Sequence, residues 1–165
     1  MDIKELVTRI TNLDDCIVAP PNGLPLLEEG YELPLDLKRF YELCGGVSLF
    51  VSSENAIHIV PPEEFVLANP VIVGERCEYD ISSHWYIVAR DENRDYLTID
   101  LSKERLGRCY DSFWEKHGQP GDCPIIANCF TELLSRLVDN KGDRWYWLQD
   151  NFVSLGDAYD GIDLE

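Results

Sequence analysis

The stretch ELPLDLKRFYELCGGVSLF, residues 32–50, decides the fold. Leu37, Phe40, Tyr41 and Cys44 recur at the spacing of one helical face, and Pro34 stands where the first turn of a helix accepts it. Gly45-Gly46 then stops the helix, with Gly45 expected in the left-handed conformation that ends helices, and VSLF begins a run of strand formers. The abrupt switch is either ordinary punctuation or the mark of a particular fold. No reaction is named by it.

Toward the N-terminus, Ile3, Leu6, Val7, Ile10 and Leu13 share one face, so residues 2–13 read as an amphipathic helix. The turn APPNG (19–23) follows, and Leu24 to Gly30 reads as a short helical turn. Toward the C-terminus, VSLFV and IHIV read as two strands of a meander around SSEN. PPEEFVLANP opens as a helical turn, VIV (71–73) reads as a strand and GERCEYDISS as a loop. The clearest hairpin pairs Trp85–Ala89 with Tyr96–Leu101 across the turn Asp91 to Asp95, and GRCYDSF adds another strand. After the loop WEKHGQPGDCP, the run PIIANCFTELLSRLVDNKG reads as the longest helix. Pro124 opens it, and Ile126, Phe130, Leu133, Leu134, Leu137 and Val138 form its buried stripe. RWYWL reads as a last strand and QDNFVSLGDAYDGIDLE as an acidic tail, all within one domain spanning residues 1–165.

Composition narrows the function. The 165 residues are 45% hydrophobic, enough for a core without staples, and no stretch approaches the ~20 apolar residues of a membrane-spanning helix. MDIKELVTRI mixes acids and bases among its apolar residues, unlike a signal or transit peptide, so a cytoplasmic protein is expected. The six cysteines contain no C-x-x-C and read as reduced, buried fillers, Cys129 in a helix and Cys109 in a strand, with Cys77 the most exposed. With 31 acidic against 14 basic residues the net charge is −17. Such a surface repels nucleic acid and anionic lipid and attracts a basic protein.

The chemical motifs are sparse. Asp91, Asn93 and Asp95 mimic the first ligands of a calcium loop, but Tyr96 stands where its glycine belongs and Ser102 where its bidentate glutamate belongs. A hairpin turn is the better account. His58, His84 and His117 lie far apart, and no nucleophile elbow, P-loop or dinucleotide fingerprint occurs. No catalytic residue, cofactor or metal is therefore expected. In Trp145-Tyr146-Trp147, the two tryptophans of a strand would share a face with Tyr146 opposed, as core cover or as an exposed anchor for a partner.

The order LPLDLKRFYELCGG, short strands, PPEEF, YIVARDENRDYLTIDL, GRCYDSF and IIANCFTELLSRLV resembles the SUKH superfamily, the Smi-Knr family of immunity proteins and cell-wall-synthesis regulators. The resemblance covers residues 24–148 and rests on Leu33-Pro34, Phe40-Tyr41, Gly45-Gly46, Asp95 and Asp100. Cys44 departs from it, since the family usually places a polar residue, often asparagine, before the glycines. The resemblance implies an α+β domain with a curved, mainly antiparallel sheet flanked by helices. It also implies a non-enzymatic binding protein, an immunity protein that neutralises a bacterial toxin, with nucleases among the candidate toxins. The rival reading is an intracellular regulatory or adaptor module, and an enzyme of unmarked chemistry is the third. On the immunity reading a basic toxin domain meets carboxylates on turns and on the exposed sheet face, taken to be Asp91, Glu92, Asp95, Glu63 and Glu64, with Trp145 as the aromatic anchor.

Overall fold

Helix α1 (Ile3–Thr11) starts at Asp2, whose carboxylate takes the Glu5 amide at 2.8 Å while the Glu5 side chain returns to the Asp2 amide. That reciprocal cap fixes the helix entry, and Ile3, Leu6, Val7 and Ile10 turn inward. Helix α2 (Leu35–Leu43) buries Leu37, Phe40 and Tyr41. In this computed structural model, which describes residues 1–163, the two helices join α4 (Phe130–Asp139) on one face of a seven-stranded sheet. The sheet is an antiparallel meander with strands in chain order: β1 (Ile17–Val18), β2 (Val47–Leu49), β3 (Ile57–Ile59), β4 (Trp85–Asp91), β5 (Tyr96–Asp100), β6 (Cys109–Ser112) and β7 (Ile125–Ala127). The chain is thus a single α+β domain.

The switch after α2 works differently from the sequence expectation. Cys44 is already extended, and Gly46, not Gly45, takes the positive φ, +116°. Gly45 is required for closeness, because a Cβ there would lie 2.3 Å from the Pro20 carbonyl oxygen. At Gly46 a Cβ would also meet the Ile59 carbonyl at 2.7 Å. The glycine pair lets the β1 approach and the end of β3 close on the start of β2.

Four other segments depart from their expected form. Ile125–Ala127 is a strand, not the first turn of the long helix, because β6 offers an edge to pair with, Cys109 opposite Ala127 and Tyr110 opposite Ile125. Helix α4 therefore begins at Phe130, capped by the Cys129 thiol, so Cys129 precedes the helix and Pro124 does not open it. VIV (71–73) is no strand; helix α3 (Ala68–Ile72) includes its first two residues. RWYWL forms a 3-10 turn (Tyr146–Leu148), and Leu24 to Gly30 has no helical turn. The two-residue β1 was not anticipated.

On β2, β3 and β5, Val47, Leu49, Ile57, Ile59, Leu97 and Ile99 point into the helix-covered core. The opposite face is covered only over its second half. There α3, residues 113–123 and the C-terminal segment enclose a smaller core of Trp85, Tyr110, Cys123, Ile125, Ala158 and Tyr159. The acidic tail is thus partly structural: Ile125 donates to the Gly156 carbonyl, Ala158 to that of Cys123, and the Asp157 carboxylate gathers the amides of Gly121, Cys123 and Tyr159. Its last two residues, Leu164 and Glu165, lie outside the described residues. Among the described residues no helix is long and apolar enough to cross a membrane.

Candidate partner-binding surface

The β4–β5 hairpin is closed by its own first residue. Asp91 Oδ1 accepts the amides of Asn93 at 2.8 Å and Asp95 at 2.9 Å, and Arg94 takes φ +61° to complete the turn. Asp91 is buried, and burial pushes its carboxyl above the ordinary value despite those two amides, with the Asp95 and Glu92 charges adding to the shift. Asp91 therefore builds the loop, and Glu92 and Asp95 are what the loop presents. The three residues that mimic calcium ligands spend Asp91 on backbone amides, and no cluster of three metal-binding side chains occurs among the described residues.

Register then places a row of side chains on the sheet face away from α1, α2 and α4. Ile17, Ser48, His58, Arg90, Tyr96 and Ser112 are successive cross-strand partners from β1 to β6. Glu92 reaches onto this row, its Oε1 lying 2.7 Å from His58 Nε2, while His58 Nδ1 meets Ser48 Oγ at 2.8 Å. Glu64, on the 3-10 turn Pro62–Glu64, pairs with Arg90 at 3.1 Å. Glu92 and Glu64 thus sit on neighbouring positions of the row, His58 and Arg90, while Asp91 and Asp95 lie in the turn at its edge. Glu63 is exposed beside Glu64 and lines a neighbouring groove of about 440 Å³ with Leu24, Leu26 and Val66.

Trp145 sits elsewhere. It is half-buried, stacked on Trp147 at 5.4 Å and edge-on to Phe113. The shared packing of the two tryptophans holds although the segment is a 3-10 turn, and Tyr146 turns inward to donate to the Ile126 carbonyl. Tyr79, which borders a cavity with His117, is 88% exposed, and the tryptophan that stands in solvent is Trp114, at 74%. It was missed because WEKHGQPGDCP is rich in turn residues. The signal available was alternation: Phe113 packs inward against Trp145 and Trp147, so the next residue faces out.

The three histidines stay apart. His84 Nδ1 lies 2.9 Å from the Tyr31 hydroxyl. His117 enters a buried polar chain in which its Nε2 meets Asn69 Oδ1 at 2.6 Å, Asn69 donates to Ser82 Oγ, and Ser82 and Tyr159 both donate to Asp80. Asn69 thus bridges His117 and Ser82, which do not bond each other, and Asp80 accepts the Ser82 hydroxyl. The chain borders a cavity of about 230 Å³ shared with Cys77 and Tyr79.

Burial lowers the His117 imidazolium to about 4, from an ordinary 6.5. The folded protein keeps this residue neutral where the unfolded chain already binds a proton. The stability it contributes is complete above pH 6.5 and falls as pH drops, by about 3 kcal/mol at pH 4. Carboxylates titrate in the same window, so the measurement is a difference. Denaturant unfolding of wild type and a His117→Gln variant at pH 7 and pH 4 should show wild type losing about 3 kcal/mol more than the variant. Equal losses in the two proteins would contradict the buried neutral histidine.

With this geometry in place, comparison adds two findings. Residues 27–136 match the sequence profile of the SMI1 / KNR4 family (SUKH-1). The chain is also 53% identical over all 165 residues to Immunity protein YokJ of Bacillus subtilis (strain 168), covering 100% of both chains.

Proposed function

Because this chain belongs to the SMI1 / KNR4 family (SUKH-1), we propose that it is an immunity protein that binds a cognate toxin domain in the cytoplasm and blocks it without catalysing a reaction. The full-length 53% identity to a protein named as an immunity protein carries this reading. The finer part concerns how binding is achieved. A toxin that acts on nucleic acid has a basic cleft, and a nuclease is the partner best matched to a chain of net charge −17. Glu92 and Asp95 at the β4–β5 turn, Glu64 against Arg90 and the adjacent Glu63 supply the local field, and Asp91 shapes the loop that presents the first two.

Electrostatic steering acts on the encounter. At low salt, association should approach ~10⁸ M⁻¹s⁻¹ and slow steeply as ions screen the charges. A Glu63→Lys/Glu64→Lys/Glu92→Lys variant, which leaves the turn-forming Asp91 in place, should associate about tenfold more slowly at low salt while its dissociation changes less. Stopped-flow mixing with an inactivated form of the cognate toxin domain measures both rates. Salt-independent association, or an unaffected variant, would remove the electrostatic mechanism and leave an apolar interface as the basis of immunity. Failure to bind any toxin domain, with binding to a cytoplasmic regulatory protein instead, would favour the adaptor reading.

A further inference from the structure

The exposed indole of Trp114 stands on a fixed backbone. Its amide donates to Asp95 Oδ1 at 3.0 Å, and just beyond it the amides of Lys116 and His117 both return to the Phe113 carbonyl, at 2.8 and 3.0 Å. Phe113 is itself packed against Trp145 and Trp147. Covering an indole that is 74% exposed removes apolar area from water, and the backbone that carries it is already ordered. Beside it lies a cavity of about 180 Å³ bounded by Val71, Tyr96, Arg94 and Asp95. Val71, at the end of α3, is also half in solvent, at 49%.

The charge around this patch selects its occupant. Asp91, Glu92, Asp95 and the adjacent exposed Glu115 outnumber Arg94, while nearby Lys116 is paired with the buried Asp111. A second copy of the chain would bring another net −17 onto the same face, which Coulomb repulsion opposes. A lysine or arginine from a basic protein fits both features, its alkyl stem against the indole and Tyr96 and its cation within reach of the carboxylates.

We propose that Trp114, Tyr96, Val71 and Asp95 form the anchor pocket of the toxin interface, receiving a basic side chain from a loop of the toxin domain. This assignment rests on the immunity reading and places the energetic centre of the interface at the β5–β6 end of the open face, next to the carboxylates that steer the approach. Trp145 then supports the anchor from beneath through Phe113 and does not touch the partner.

The test titrates the inactivated cognate toxin domain with wild type, Trp114→Ala, Trp114→Phe and Leu35→Ala, the last removing an apolar side chain 83% exposed at the start of α2, on the other side of the sheet. Trp114→Ala should weaken binding by about 30-fold or more, as loss of a central tryptophan does, with Trp114→Phe between it and wild type. Leu35→Ala should stay within about twofold, as interface-distant sites do. Thermal melts should leave Trp114→Ala within about 2 °C of wild type, as for exposed positions, which separates lost binding from lost folding. Wild-type binding with an unaffected Trp114→Ala overturns the anchor and leaves the immunity reading standing. A wild type that ignores the toxin domain removes both, and a Trp114-dependent dimer in sedimentation assigns the patch to self-association and overturns the proposal.

Discussion

Replacing Phe130 with alanine is expected to lower the unfolding free energy by about 3–5 kcal/mol, a large part of the margin by which a domain of this size is stable. Phe130 is the first residue of α4 and is wholly buried, its ring edge-on to Phe40 of α2 at 4.9 Å. The same junction is tied by Asp36 of α2, whose Oδ2 takes both the amide and the hydroxyl of Thr131 at 2.8 Å. Those bonds hold the two helices where they are, so the cavity left by a missing ring cannot close easily. Leu134→Ala, one turn further along the same buried stripe, should cost about 2–5 kcal/mol, whereas the exposed Lys38→Ala on α2 should change stability by under about 0.5 kcal/mol. Urea unfolding of the three variants measures this. Losses below about 1 kcal/mol at both buried sites would mean that α4 does not pack as described.

Asp100→Ala should be comparably damaging, by about 3–5 kcal/mol, for an electrostatic reason. The Asp100 carboxylate is fully buried at the end of β5. Its Oδ1 accepts the Ser102 amide at 2.9 Å, and its Oδ2 accepts the Tyr110 hydroxyl at 2.5 Å and Arg105 Nε at 3.3 Å. Burial first, and then the neighbouring Asp100 charge, pushes the Tyr110 phenol far above its ordinary range, so Tyr110 stays a donor. Removing the carboxylate strands that hydroxyl, an amide and a guanidinium whose side chain is only 16% exposed. An Arg105→Ala/Asp100→Ala pair should therefore be less destabilised than the two single losses added together, by 1 kcal/mol or more, on the order of coupled neighbours. Strict additivity would contradict the buried ion pair.

Much of this architecture was legible because its signals are local. The stripe of α2, its proline entry and its glycine exit lie within fifteen residues, and the β4–β5 hairpin carries strand formers on both sides of an aspartate-rich turn. What stayed hidden depends on partners distant in sequence. Ile125–Ala127 abuts a helical pattern and becomes a strand only because β6 lies beside it, and β1 is two residues long with no periodicity of its own. Tertiary pairing overrode local pattern at both sites. At the surface, the acidic hairpin was visible from composition, but the burial of Asp91 was not, since an aspartate that closes its own turn and one that faces a partner read alike in sequence. That Trp145 is half-buried while Trp114 stands in solvent likewise depends on the stack of Trp145 on Phe113, 32 positions earlier.

The central claim is direct neutralisation by binding. Calorimetric titration of the wild-type protein with the inactivated cognate toxin domain tests it most directly, read beside growth of cells making the active domain with and without this chain. The account predicts a saturable one-to-one complex with a Kd of about 10 nM or tighter at low salt, weakening as salt rises, and growth restored by the wild-type protein. No measurable binding to the toxin domain, or growth restored without a complex, would contradict it.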